Sequence, residues 1–164
     1  MDKKIYLIRS SDTKFGGGEN YLTRFSNALK RKNIEHQIIN SSLPKFLPSW
    51  VRVIFFNIQM NFLKKDKFYF SLERISCPDL YRAGDGVHKV HLSIEKKSIL
   101  NLLHPTYLYL EKRCFKNATC IISNSNMVKK EIIDSYNIDP KKIKVIHNGI
   151  ELKEVDYEKS FNKL

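Results

Sequence analysis

Ile5-Tyr6-Leu7-Ile8, then Gly16-Gly17-Gly18-Glu19, then His36-Gln37-Ile38-Ile39 decide the fold. The first quartet is a short apolar run bounded by Lys3-Lys4 and by Ser10-Ser11-Asp12, the pattern of a buried strand. Tyr21, Leu22, Phe25, Ala28 and Leu29 then recur at helical spacing, which predicts a helix over 19–32 with one apolar face. The His36 quartet reads as a second strand. Strand, glycine loop, helix, strand is a βαβ unit, so the sheet is expected to be parallel with right-handed crossovers.

Working outward, 48–63 predicts a helix that ends in Lys64-Lys65-Asp66-Lys67, and 68–72 predicts a strand. The stretch 79–86 reads as a loop with turn chemistry. Helices are expected over 93–103 and 105–116, with Pro105 at a first helical position. A buried strand over 119–123, a helix over 126–136 and a strand over 144–146 follow, closed by the turn signal Asn148-Gly149. The expected fold is α/β: a Rossmann-like, mostly parallel sheet with helices on both faces. It should occupy 1–150, with 151–164 as a charged tail or the start of an interdomain linker.

The composition fits one such domain. The chain has 164 residues, 42% hydrophobic and 28% charged, which excludes wholesale disorder. Three scattered cysteines form no Cys-x-x-Cys pair, so neither a disulfide framework nor a structural zinc site is expected. The N-terminal apolar run is too short for a signal peptide, and no window approaches the roughly 18 apolar residues of a spanning helix. A cytoplasmic protein with reduced thiols is expected. The 29 Lys and Arg against 17 Asp and Glu give +12, which suits a polyanion or anionic lipid partner.

Three segments carry candidate chemistry. Glycines 16–18 after the first strand let backbone approach a ligand, and the following helix start offers N–H groups that favour a phosphate or diphosphate. The spacing is neither Gly-x-Gly-x-x-Gly nor a P-loop. The second segment, Asp79-Leu80-Tyr81-Arg82-Ala83-Gly84-Asp85-Gly86-Val87-His88, carries carboxylate, guanidinium and imidazole groups. In open α/β sheets ligands bind outside the carboxyl ends of the strands, so this segment and the glycine loop are expected to meet at one crevice. His88 and His91 lie three apart but lack a third ligand, so no metal is expected. The third comprises two strands ending in small polar residues, Ile121-Ile122-Ser123-Asn124-Ser125 and Lys144-Val145-Ile146-His147-Asn148-Gly149.

In combination and order these segments resemble a known family. Gly-Gly-Gly-Glu after the first strand, Ile-Ile-Ser-Asn-Ser, and Lys-Ile-Lys-Val-Ile-His-Asn-Gly-Ile resemble the N-terminal half of a GT-B glycosyltransferase of the family 4 type. Tyr-Arg-Ala-Gly-Asp-Gly-Val-His is similar to the lipopolysaccharide core glucosyltransferases. The resemblance implies a retaining, metal-independent transfer of sugar from a nucleotide-diphosphate sugar to a cell-surface glycan or glycolipid acceptor, with no cofactor. It implies that Gly16, Gly17, Gly18 and Glu19 face the donor diphosphate or sugar. Asp85 and His88 would be the catalytic pair, with Arg82, Asn124 and Asn148 in acceptor or supporting places. That family also has a C-terminal nucleotide-sugar domain with a Glu-x7-Glu motif, and no two glutamates here are eight positions apart. That domain is expected to be absent, and a separate C-terminal-domain subunit is an expected partner. Without one the chain is expected to be inactive.

Trp50, Phe55, Phe56 and Phe62 share a segment with Arg52, Lys64, Lys65 and Lys67. The expectation is a core helix packed on the sheet with a solvated basic end, and peripheral contact with an anionic membrane is the alternative. Two other readings compete for the whole chain: a basic nucleic-acid-binding protein, and a non-catalytic truncated remnant. The basic residues are spread over many elements with no nucleic-acid-binding motif, so no nucleic acid is expected.

Overall fold

The computed structural model describes residues 4–10, 16–95 and 101–149. The tail expected over 151–164 lies outside the described residues. Six strands form one sheet: β1 (Ile5–Ile8), β2 (His36–Ile39), β3 (Phe68–Ser71), β4 (Leu80–Ala83), β5 (Cys120–Ser123) and β6 (Ile143–Val145). Their order is β2-β1-β3-β4-β5-β6 and every pair is parallel. The five helices are α1 (Gly17–Arg31), α2 (Ser49–Leu63), α3 (His88–Glu95), α4 (Leu103–Asn117) and α5 (Asn126–Tyr136). The strand order reverses between β1 and β3, which makes their carboxyl ends the switch point where open α/β sheets bind ligands.

The alternation of the strands sorts the core. Leu7, Phe70 and Leu72 meet Leu22 and Leu29 of α1 on one face. Ile8, Tyr69 and Ile75 meet Phe56 and Met60 of α2 on the other. Tyr81, Ala83 and Ile121 continue that second face under Cys114 and Phe115 of α4 and Val128 and Ile132 of α5. Each fully buried aliphatic or aromatic side chain contributes roughly 1.5–3 kcal/mol relative to exposure. Local chemistry sets the ends: Ser125 Oγ accepts from Val128 N to start α5, and Asn137 closes it in the left-handed region at φ 52°.

Three expectations need correction. The stretch 79–86 is not all loop, because Leu80–Ala83 forms β4 in the middle of the sheet. Arg82 disguises it as a turn, yet Arg82 is buried in the strand. The helix expected over 93–103 instead starts at His88 and is described to Glu95, and the next begins at Leu103. Pro105 therefore sits in the first turn of α4 rather than at its start, where its missing N–H still costs nothing. Finally, α2 buries fully only Phe56 and Met60, while Phe55, Ile58 and Phe62 are 54%, 56% and 81% exposed. It is a core helix on one side and an apolar surface on the other.

One buried ion pair ties the second face together. Glu111 of α4 is fully buried and accepts Arg74 Nε at 2.9 Å, Tyr136 Oη at 2.6 Å and the His88 and Lys89 backbone N–H groups at 2.7 and 3.2 Å. It thus caps α3, holds the end of α5 and anchors the loop after β3. Removing one partner of such a pair leaves an uncompensated buried charge. Glu111→Ala is expected to lower the unfolding free energy by about 3–5 kcal/mol in urea titrations. A loss below about 1 kcal/mol would contradict this role.

Candidate active site

Because all strands run the same way, the loops after β1, β3, β4, β5 and β6 open on one edge. Arg9, one residue beyond β1, is the hub there. Its Nε and Nη2 donate to Glu19 Oε1 at 3.3 and 3.1 Å. Its Nη1 lies 3.2 Å from Glu73 Oε1 and 3.9 Å from Asp85 Oδ2. The glycine loop, the loop after β3 and the loop after β4 therefore converge on one guanidinium. Burial alone would lower the Arg9 pKa, but Glu73, Glu19 and Asp85 outweigh it and raise it. Glu73 also accepts from Ser10 N at 3.2 Å and Ser10 Oγ at 2.8 Å, which fixes the backbone as it leaves β1.

The glycines answer to this hub. Gly16 has φ +148°, and a side chain there would meet the Glu19 carboxylate. A Cβ at Gly18 would stand 2.7 Å from Arg9 Nη2, whereas one at Gly17 would meet open space. The start of α1 thus carries no side chain at Gly17 or Gly18, and Glu19 is turned to Arg9.

Arg82 points to the α1 face of the sheet. Its guanidinium lies 3.6 Å from the Tyr21 ring centroid and donates to Asn148 Oδ1 at 2.5 Å. A Cβ on Gly84 would strike it. Asn124 Nδ2 donates to Gly84 O at 3.0 Å, and the Asn124 carbonyl bonds His147 Nδ1 at 3.0 Å. The expected supporting residues Arg82, Asn124 and Asn148 therefore form one net around the Gly84-Asp85 bend. Asn124 Oδ1 is buried without a hydrogen-bond partner. The Asp85 side chain is 59% exposed, with Oδ2 3.9 Å from Arg9 Nη1.

His88 opens α3. Its Nε2 lies 3.2 Å from His104 Nδ1, and its ring packs 5.2 Å from that of Tyr107. Burial lowers its pKa from the ordinary 6.5, with Arg74 and then His104 and His91 adding to the effect and Glu111 opposing it. His91 pairs instead with Glu95 at 3.3 Å, and among the described residues no three His, Cys, Asp or Glu side chains group to hold a metal. Asp79 belongs to the opposite edge. Its carboxylate accepts from Tyr69 N and pairs with Lys64, and its carbonyl accepts from Thr119 N and Cys120 N.

Sequence reasoning missed Arg9, Glu73, Tyr107 and the Arg74–Glu111 pair. Tyr107 is a phenol whose pKa rises through burial first and then Glu73. Arg9 carried one readable signal, a charge placed directly after an apolar strand. Glu73 and Tyr107 lie in segments whose local pattern says only strand end and helix. With Arg9 at +1 and Glu19, Glu73 and Asp85 at −3, this cluster sums to −2 in a chain of +12. Carboxylates and free backbone N–H groups together suit a ligand with both hydroxyls and phosphates.

The model of the family described as Glycosyltransferase Family 4 matches residues 85–154, a span that contains Asp85, His88, Asn124 and Asn148. The fold is similar to that of WaaG, a glycosyltransferase involved in lipopolysaccharide biosynthesis, with TM-score 0.81 and 13% identity over 97% of this chain and 50% of that one. The lipopolysaccharide outer core galactosyltransferase WaaB in its apo form also matches, with TM-score 0.46 and 15% identity over 93% of this chain and 47% of that one. The chain spans about half the length of both. No curated protein matches the sequence.

Two outcomes follow from the geometry. Gly18→Ala displaces the Arg9 guanidinium, the movable end of a side chain, while alanine gains about 1 kcal/mol over glycine in a helix, so the unfolding free energy in urea should change by less than about 1 kcal/mol, and a loss above about 3 kcal/mol would show that the guanidinium cannot yield. A histidine whose folded pKa is depressed contributes stability that is present above its unfolded value of 6.5 and is lost as pH falls through the folded value. The melting temperature should therefore drop between about pH 7 and about pH 5, and the drop should be smaller in His88→Gln. Equal slopes in the two proteins would contradict the assignment, since the Glu111 bond uses only the His88 backbone.

Proposed function

We propose that this chain, whose residues 85–154 match glycosyltransferase family 4, is the acceptor-side half of a retaining, metal-independent glycosyltransferase. It moves a sugar from a nucleotide-diphosphate sugar to a lipopolysaccharide-type or other cell-surface glycan. The observation that carries the reading is the convergence of the glycine loop and Asp85 on Arg9 at the switch point of a parallel sheet. In this reading the bare start of α1, Gly16 to Gly18, receives the leaving diphosphate, whose charge grows as the glycosidic bond breaks. Glu19 is held by Arg9 beside it. Asp85 accepts from sugar or acceptor hydroxyls, and His88, kept neutral by burial, accepts or passes a hydroxyl proton. Arg82, Asn124 and Asn148 hold the bend that aims Asp85.

The −2 rim sets a requirement. A diphosphate beside three carboxylates needs more positive charge than Arg9 alone supplies. A second domain or a separate subunit, closing over this edge and bringing nucleotide contacts and cations, completes the site. In this reading the transfer takes place on the cytoplasmic side of a membrane.

The test mixes the purified chain with a separately produced nucleotide-binding half of a GT-B glycosyltransferase. Transfer of labelled sugar from several nucleotide sugars to a lipopolysaccharide core acceptor is then followed. The chain alone should give little or no transfer and the mixture measurable transfer. Asp85→Asn should reduce kcat by roughly 100-fold, the size of loss seen when a group acting on developing charge is removed. Asp134→Asn, an exposed change on α5, should leave kcat unchanged. Robust turnover by the chain alone would contradict the need for a second half. An Asp85→Asn rate equal to the parent would remove Asp85 from the site.

A further inference from the structure

Among the described residues, His104 is the side chain that hydrogen-bonds the His88 ring. His88 Nε2 and His104 Nδ1 are 3.2 Å apart. The ring centroids are 5.3 Å apart and the planes 29° from parallel. The two imidazoles therefore meet edge to edge, as an N–H···N bond requires. His104 is the second residue of α4, and Tyr107 stands one turn further on. The Tyr107 ring packs 5.2 Å from that of His88, and Glu111 accepts the His88 backbone N–H at 2.7 Å. Helix α4 thus grips this histidine at three points, and only one of them touches a ring nitrogen.

A bond between two neutral imidazoles has a direction. If His88 donates, both rings carry their proton on Nε2, the form that a free histidine side chain prefers. If His104 donates, both rings carry it on Nδ1, the less stable form. The first direction costs less, and it leaves His88 Nδ1 with a lone pair. Among the described residues nothing donates to that nitrogen. The charges around the ring keep it neutral. Burial and then Arg74 lower the His88 pKa, His104 and His91 add to them, and Glu111 opposes. With Tyr107, which is itself uncharged at neutral pH, these are the titratable groups that face the ring from the loop after β3, from α3 and from α4. A neutral nitrogen lone pair accepts from a hydroxyl and has nothing to offer a phosphate or a carboxylate.

We infer that His104 is a positioning residue that fixes His88 in the Nε2–H tautomer, so that His88 Nδ1 is a dedicated acceptor for a hydroxyl of the donor sugar or of the acceptor glycan. The ligand class rests on the transferase reading above, whereas the tautomer lock stands on the geometry of the two rings. Without His104 the ring exchanges between tautomers and presents a donor at Nδ1 for part of the time.

The full chain is prepared with its five histidines labelled with heavy nitrogen. Long-range proton–nitrogen correlations are recorded at about pH 8, above the ordinary and the lowered His88 pKa. His88→Gln identifies the His88 signals. The expected spectrum shows Nε2 protonated and Nδ1 unprotonated at His88. His104→Asn keeps a carbonyl oxygen that accepts at the place of Nδ1 and should preserve that pattern. His104→Leu should give the averaged nitrogen shifts of a ring that exchanges between tautomers. A parent His88 that is averaged or protonated on Nδ1 would overturn the inference, and this result needs no variant of His104 to fold. An unchanged His88 tautomer in folded His104→Leu would overturn it as well. In the mixture with a nucleotide-binding half, His104→Leu should lower kcat roughly tenfold, the loss of one directed hydrogen bond, and His104→Asn should recover most of it. Equal kcat in His104→Leu and the parent would remove His104 from the site. If even the parent mixture transfers no sugar, the transferase reading falls, and the nitrogen spectra still decide the tautomer.

Discussion

One guanidinium organises the ligand edge of this protein. Glu19, Glu73 and Asp85 come from three loops that are far apart in sequence, and like charges at such distances repel one another. Arg9 is the group that lets them share one small volume. It stands at the switch point because β1 is paired on both sides, by β2 and β3, and because α1 and α2 pack on opposite faces of the β1–β3 pair. Glycine at 18 follows from the same constraint, since any side chain there would compete with the guanidinium for space. The tight turn at Gly16 and the Ser10–Glu73 bonds then hold the chain on either side of it.

Much of this was legible in the residues. Apolar quartets, helical spacing and the glycine run specify the βαβ start, and the parallel sheet follows from it. The Asn148-Gly149 dipeptide and the small polar residues after β5 and β6 pointed to the right edge. What failed to show was context. Arg82 made the central β4 look like a turn, because a charged residue inside a four-residue strand erases the apolar pattern; the stacking of its guanidinium on Tyr21 and its bond to Asn148 make its burial tolerable. Glu73 of the hub, Tyr107 beside His88 and the buried Glu111 have no local signature, because their roles depend on contacts between segments tens of residues apart. The expected meeting of the glycine loop and the Asp85 bend was correct, while Asp79 of the same segment proved to serve the opposite end of the sheet.

The molecule is thus divided by charge and by edge. Its carboxyl edge gathers carboxylates inside a basic protein, its opposite edge uses Asp79 to stitch β3, β4 and β5 at their starts, and one helical face stays apolar. The Arg74–Glu111 pair links these parts, since Glu111 caps α3, which opens with His88, and belongs to α4, which lines an apolar groove against α2.

The convergence on Arg9 is tested most directly by backbone hydrogen exchange in the parent chain and in Arg9→Met. Loss of the guanidinium should raise exchange together in the loops around Ser10, Gly18-Glu19, Glu73 and Asp85, with the amides of β5 and α5 unchanged. Faster exchange confined to the residues next to position 9 would show that the three loops are held independently, and the shared rim would lose its basis.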